Sequence, residues 1–277
     1  MPAAVSSAAD CATVPDTMQL RIAGRTIGYD DVGAGPALVL LHPFPLDRRA
    51  WAGAVEELRR ANRVLTVDAR GFGESDLGGR YSIADLADDV AALLDARGVA
   101  TATVAGQSMG GYTALAFAAR HPARLRAMVL ANTRAAADTP AAREGRAAAI
   151  AAIRDEGVGV YLDRSLPRLL ASTAPPALLA SVRALAELRP DHLVAGIEAL
   201  RDRPDRSAEL SKIRVPVLVI SGARDQIVPS GEMLEMSRAL PASRLVSLER
   251  AGHLANLEMP DRFVRALRDF LPVLGPS

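Results

Sequence analysis

Six runs of strand length recur along this chain: ALVLLH (37–42), RVLTVD (63–68), TATVA (101–105), LRAMVLA (125–131), VPVLVI (215–220) and RLVSL (244–248). The first is apolar almost throughout. A strand with one wet face alternates apolar and polar residues, whereas a run such as ALVLLH suits a strand buried on both faces. Stretches of helical pattern lie between the runs, at about 50–61, 83–97, 112–120, 230–239 and 260–271. Ser82-x-x-Asp85 has the form of a capping box at the head of the second, and His121-Pro122 closes the third. Alternation of this kind predicts a parallel sheet with right-handed crossovers and helices on both faces. Ahead of it, Gln19–Ala23 and Thr26–Val32 meet at Gly24-Arg25 and predict an antiparallel hairpin. The expectation is an α/β fold with eight strands, mostly parallel.

Between Arg134 and Arg206 the alternation stops. Ala, Arg and Leu dominate, no strand-like run occurs, and Pro140, Gly157, Gly159, Pro167, Pro175-Pro176 and Pro190 break the stretch into helical pieces. This predicts a helical insertion over the sheet, so that 18–133 and 207–277 form one core and 134–206 a cap. Residues 1–17 lack a basic start followed by a compact apolar stretch and read as a flexible leader, with Met18 an alternative start.

With 277 residues and 49% apolar content, there is enough material for one sizeable core. A net charge of +1 with mixed signs gives no case for nucleic-acid binding, and no apolar run reaches membrane-spanning length. Lys212 is the only lysine, so the positive charge is arginine, which reflects an Ala/Arg-rich coding bias. A single cysteine, Cys11, allows neither an internal disulfide nor a cysteine metal cluster. These features point to a cytoplasmic enzyme; a monomer or homodimer with no metal or other cofactor is the expectation.

The chemistry centres on VAGQSMGGYT (104–113). Gly-x-Ser-x-Gly is a weak pattern alone, but here a strand precedes it and a helix follows. That is the setting in which a serine sits on a sharp strand-to-helix turn, with its hydroxyl exposed at the carboxyl edge of the sheet. Gly106 and Gly110 avoid clashes across such a turn, and the helix N-terminus behind Ser108 favours developing negative charge. A serine hydroxyl needs a base to take its proton. Of the four histidines, His42 ends a buried strand and shapes the loop after it. His121 belongs to a helix end, and His192 to the insertion. His253 follows the last strand in RAGHLANLE, at the carboxyl edge, and is the expected base. Asp225 in SGARDQIVP also follows a strand there and is the expected acid that orients it. The competing acids are Glu249, too close to His253 along the chain, and Asp205, in the insertion. Acyl transfer also needs donors for an oxyanion. The N–H of Met109 is one, and Phe44 is the expected other, because its neighbours Pro43 and Pro45 have no N–H.

Taken together, HPFPLDRRAW, DARGFGESD, GQSMGG, GARDQIVP and AGHLANLEMPDRF, in this order, resemble the α/β-hydrolase superfamily from about residue 18 to the end. Within it the chain is similar to the esterase, 3-oxoadipate enol-lactonase and cofactor-free haloperoxidase-like branch. The family pattern has His-Gly where this chain has His42-Pro43. The resemblance implies a serine hydrolase of small carboxylic esters or lactones, with Ser108, Asp225 and His253 as its triad. A serine at 108 argues against the epoxide-hydrolase and haloalkane-dehalogenase branches, whose nucleophile is aspartate. Perhydrolysis or haloperoxidation, or cleavage of a carbon–carbon bond, could use the same triad, and a slow-turnover ligand receptor is a further reading. Asp68, Arg70 and Trp51 are expected to be structural, and the side chains of Phe44 and Met109 to line the acyl pocket. An inward cap arginine would select a carboxylate-bearing substrate.

Overall fold

The computed structural model describes residues 18–271; the leader expected over 1–17, with Cys11, lies outside them. Its centre is an eight-stranded sheet in the order β1-β2-β4-β3-β5-β6-β7-β8. The strands are β1 (Met18–Ile22), β2 (Arg25–Val32), β3 (Ala37–Leu41), β4 (Arg63–Val67), β5 (Ala102–Gln107), β6 (Leu125–Ala131), β7 (Val217–Gly222) and β8 (Ser243–Leu248). β1 and β2 form the hairpin, turning at Ala23-Gly24, one residue earlier than expected. β2 is antiparallel to β4, and the pairings from β4 through β8 are all parallel.

Helices α1 (Ala52–Leu58), α2 (Ile83–Ala96) and α3 (Met109–Arg120) connect the first parallel strands. After β6 come α4 (Pro140–Glu156), α5 (Val158–Ser165), α6 (Pro176–Ala184) and α7 (Pro190–Arg201). α8 (Ser230–Ala239) follows β7, and α9 (Ala255–Glu258) and α10 (Pro260–Phe270) follow β8. Successive residues of a strand point to opposite faces, and the core divides accordingly. Val39, Leu41, Val104, Met128 and Leu130 pack against Leu86, Val90 and Leu94 of α2 and Leu115 and Phe117 of α3. Leu38, Leu40, Ala105 and Val129 pack on the other face, against Trp51, Leu58 of α1 and Phe263 and Leu267 of α10. Each large side chain so buried is worth roughly 1.5–3 kcal/mol.

This division positions the site. The chain leaves β3 toward the α1 face and leaves β5, its neighbour, toward the α3 face. The loops after these two strands therefore part and open a crevice at the carboxyl edge, where α/β sheets bind ligands.

Some boundaries differ from the sequence reading. The helix expected over 50–61 starts as a tight turn at Arg48–Trp51, capped by the Asp47 carboxylate on the Arg49 N–H, and α1 ends at Leu58. α3 begins at Met109 rather than Tyr112. β7 begins after Pro216, which has no N–H for the ladder. Pro140, Pro176 and Pro190 start α4, α6 and α7 rather than interrupting helices, because a first-turn N–H would be unpaired anyway.

The helices between β6 and β7 reach loops that all leave the carboxyl ends of parallel strands. A Cβ on Gly196 of α7 would lie 2.9 Å from the Phe44 ring and 3.0 Å from that of Phe72. His192 Nδ1 is 2.9 Å from the Gly71 carbonyl oxygen. Leu162, Leu166, Leu169 and Val182 cluster with Leu46, Ala50 and Leu254. The insertion thus lies across that edge of the sheet. Among the described residues no helix is long and apolar enough to cross a membrane.

The capping box on α2 forms: the Ser82 hydroxyl accepts from the Asp85 N–H at 3.2 Å, and the Asp85 carboxylate accepts from the Ser82 N–H at 2.7 Å. Ser82→Ala should lower unfolding free energy by about 1 kcal/mol in urea titrations. An unchanged midpoint and slope would remove the box from the account of this helix.

Candidate active site

Ser108 sits between β5 and α3 with φ +52° and ψ −113°, a backbone conformation that costs a non-glycine residue energy. Close contacts on both sides hold it. A Cβ on Gly106 would fall 2.0 Å from the Gly110 carbonyl oxygen, and one on Gly110 would fall 2.1 Å from that of Leu41. Both glycines are therefore required by the approach of β5, α3 and β3 to one another. The Ser108 N–H donates to the Ala131 carbonyl at 2.9 Å, fastening the turn to β6. Its carbonyl accepts from the N–H of Gly111 and Tyr112 and from the Thr133 hydroxyl.

The structure brings Ser108, His253 and Asp225 together. Ser108 Oγ is 2.7 Å from His253 Nε2, and His253 Nδ1 is 2.8 Å from Asp225 Oδ2. Asp225 leaves the end of β7 and His253 the loop after β8, so three strand ends converge. His253 is 1% exposed and Ser108 8%, so the hydrogen-bonded chain is shielded from bulk water. The other Asp225 oxygen accepts from the N–H groups of Ile227 (2.7 Å) and Val228 (3.0 Å). Burial pushes the Asp225 carboxyl up, but His253, the Val228 N–H and the Asn132 amide outweigh it and leave it below the ordinary carboxylate range. It therefore stays ionised at neutral pH. The arrangement can draw a proton from a serine hydroxyl and hold the resulting imidazolium beside a carboxylate.

Met109 and Phe44 follow Ser108 and β3 as expected, and among the described residues neither backbone N–H has a protein acceptor. The loop carrying Phe44 is braced by buried polar groups. The Pro43 carbonyl accepts from the Leu46 N–H at 3.0 Å. His42 Nε2 accepts from the Ala69 N–H at 2.9 Å while Nδ1 faces the Pro43 oxygen at 3.1 Å, which fixes a neutral ring with its proton on Nδ1. Burial holds the His42 pKa below its usual value, consistent with that form. Asp68 accepts from the Arg48 N–H, from the Arg48 guanidinium and from the Glu74 N–H, tying the loop after β3 to the loop after β4. Arg70 pairs with Asp89, and Trp51 packs on Phe263 at 5.7 Å between ring centres.

The remaining candidates lie elsewhere. His121 meets Asp88 at 2.8 Å. Asp205 caps the turn at Ser207, and Glu249 is exposed. Four polar residues near the site were not singled out in the sequence. Gln107 donates to the His253 carbonyl at 2.8 Å, and Glu258 accepts from the N–H groups of Gly252 and Ala171. Asn132 and Thr133 stand directly after β6. Their only signal was an asparagine at a strand end, where that residue tolerates positive φ better than most. Among the described residues no group of three or more His, Cys, Asp or Glu could hold a metal ion.

Residues 38–266 match the model of the Alpha/beta hydrolase family, and the chain belongs to that family. It is 31% identical over 259 residues to the pimeloyl-[acyl-carrier protein] methyl ester esterase of Aeromonas hydrophila, covering 89% of this chain and 99% of that protein. Two solved structures are also similar. A thermophilic esterase from Thermogutta terrifontis, with malate bound, superposes with a TM-score of 0.88 at 34% identity, covering 94% of this chain and 99% of the other. The enol-lactonase from Burkholderia xenovorans LB400 superposes with a TM-score of 0.85 at 32% identity, covering 92% and 100%. The chain is thus a hydrolase of the α/β class, with its eight-stranded, mostly parallel sheet flanked by helices.

The depressed Asp225 pKa has a consequence for stability. A carboxylate held below its unfolded value stabilises the fold above that value and loses the contribution as pH falls through the folded pKa. Urea midpoints of the wild type should therefore drop below about pH 4, near the ordinary carboxylate value of 3.8. Asp225→Asn should show a shallower drop there. Equal slopes for the two proteins would contradict the pKa assignment.

Proposed function

We propose that this chain is a serine hydrolase that cleaves small carboxylic esters or lactones through an acyl-enzyme. The observation that carries the reading is the continuous hydrogen-bonded chain from Ser108 Oγ through His253 to Asp225. In the proposed reaction His253 Nε2 accepts the Ser108 proton as Oγ attacks the acyl carbon. Asp225 keeps the His253 proton on Nδ1 and stabilises the imidazolium. Charge that develops on the carbonyl oxygen is met by the N–H groups of Met109 and Phe44, and the first opens α3, whose positive pole faces the site. His253 then returns its proton to the leaving oxygen. Water, activated by the same ring, releases the acid. The chemistry uses side chains, backbone and water, with no cofactor, and the substrate is a small molecule reached beneath the helical insertion acting as a cap.

The pairing of two insertion arginines favours an uncharged acyl group. Arg203, 3% exposed in its side chain, is paired with Asp138 at 2.6 Å. It also donates to the carbonyls of Leu200 and Ala136, and lies over the Tyr112 ring at 4.2 Å. Arg134 is committed to the Ile227 carbonyl and to Glu232. Both guanidinium groups are thus committed to acceptors within the protein, Arg203 sharing Asp138 with Arg146, which leaves them poorly placed to reward a carboxylate on the substrate.

Ser108→Ala should lower turnover of p-nitrophenyl acetate by about 10⁶-fold and abolish fluorophosphonate labelling. Asp225→Asn should cost about 10⁴-fold in kcat, because the ring loses its oriented tautomer. Full activity in Ser108→Ala would overturn the assignment. A panel of plain esters, enol lactones, a dienoic ketone and peroxide with acetate separates ester or lactone cleavage from the other uses of the same groups. Preferred turnover of a dicarboxylic substrate would overturn the neutral-acyl reading.

A further inference from the structure

Asn132 and Thr133 are buried completely, at 0% exposure each, yet the proposed chemistry gives neither a role. Asn132 has φ +46°, a strained conformation for a side-chain-bearing residue, and its N–H is fastened to the Ile220 carbonyl of β7 at 3.0 Å. Its amide nitrogen makes two hydrogen bonds. One goes to Asp225 Oδ2 at 2.9 Å, the same oxygen that faces His253, and the other to the Gly252 carbonyl at 3.1 Å. Both partners are acceptors, so chemistry fixes which end of the amide points at them. That orientation leaves Asn132 Oδ1 buried with no donor among the described residues. Burying an acceptor unpaired carries a cost that an apolar residue would avoid. Beside it, the Thr133 hydroxyl donates to the Ser108 carbonyl at 2.9 Å, and the preceding Ala131 carbonyl holds the Ser108 N–H.

Resting on the ester-hydrolase reading above, we propose that Asn132-Thr133 is a positioning element that sets all three triad members in register from the end of β6. The three groups ride on separate connections, after β5, β7 and β8, with no covalent link shorter than the folded core between them. Asn132 ties the Asp225 carboxylate to the residue before His253, which sets the spacing of acid and base. Thr133 ties the nucleophile's own peptide to the same strand end. A displacement of about 1 Å among reacting groups can cost on the order of 10²-fold in rate. A two-residue bracket spanning all three connections limits such displacement. Neither residue touches substrate; both act through the groups they hold.

The test uses the full chain with p-nitrophenyl acetate and a fluorophosphonate probe. Asn132→Gly removes the amide while keeping the positive φ free of strain, and should lower kcat by about 10–100-fold with KM within about two-fold of the wild type. Asn132→Asp separates positioning from packing. While protonated, the new carboxyl can donate to Asp225; once ionised, it faces two acceptors with no proton to offer. Its kcat should therefore gain a descending limb as pH rises, where the wild type levels off. Thr133→Val, nearly isosteric, should slow phosphonate labelling with little change in melting temperature.

A wild-type kcat in Asn132→Gly, or a wild-type pH profile in Asn132→Asp, overturns the proposal and leaves the hydrolase reading intact. So does a loss of rate in both variants that tracks their loss of melting temperature and spares the pH profile. If Asn132→Gly does not fold, the pH profile of Asn132→Asp and the labelling rate of Thr133→Val decide the matter by themselves. A wild type that neither hydrolyses the ester nor takes up the probe overturns the reading on which the proposal rests.

Discussion

The left-handed turn at Ser108 is the constraint on which the site depends. A non-glycine residue held at φ +52° stores strain, and only surrounding contacts can keep it there. Here the contacts are backbone against backbone. β5, α3 and β3 approach so closely that no side chain fits at Gly106 or Gly110. Hydrogen bonds to the end of β6 and the residues just after it hold both the N–H and the carbonyl of Ser108. The whole central sheet therefore stands behind one hydroxyl. In return the hydroxyl is presented at the carboxyl edge, 2.7 Å from an imidazole that belongs to a loop 145 residues away in sequence.

The second organising feature is the way buried polar groups join the loops at that edge. Asp68 and Arg48 bind the loops after β3 and β4. Asn132 and Gln107 bind the ends of β6 and β5 to the loops that carry Asp225 and His253. Glu258 binds Gly252 to Ala171 of the helical insertion, while the Leu254 N–H donates to Leu169 and the Gln226 amide to Leu170. Three consecutive residues of the insertion are thus sewn to the loops that carry Asp225 and His253. The contacts that hold the insertion in place therefore also locate the imidazole. Polar links of this kind, largely withdrawn from water, are stronger than exposed ones and give the site its rigidity.

Much of the fold was legible because its signals are local. Strand runs of five to seven residues, the first of them apolar almost throughout, alternating with helical stretches, left few options other than a parallel sheet. The capping box at Ser82 and the helix at 230–239 formed where their sequences placed them. Where expectation and structure part, a nonlocal contact or a backbone detail decides. α3 starts at Met109 because the turn at Ser108 feeds straight into it, although Met-Gly-Gly carries little helical propensity. The prolines of the insertion read as interruptions, yet three of them open helices, since proline at a first turn and proline between helices look alike in a one-dimensional pattern. α9 carries no periodic signal, because four residues are too few for one.

By itself, the sequence determined the chemistry that this edge of the sheet presents: a serine flanked by glycines between strand and helix, then an aspartate and a histidine, each just past a strand. Those residues are identifiable because strand ends and turns are encoded locally and the sheet gathers its carboxyl ends on one side. Only the tertiary structure decided how the three groups are held and what surrounds them. Asn132, Thr133, Gln107 and Glu258 are ordinary polar residues in the sequence; each has a partner 25 to 146 residues away that becomes a neighbour only when the core forms. The same holds for Arg203. Whether that guanidinium faced solvent, a substrate or Asp138 depended on helix packing over the sheet, which no local pattern of alanine, leucine and arginine encodes.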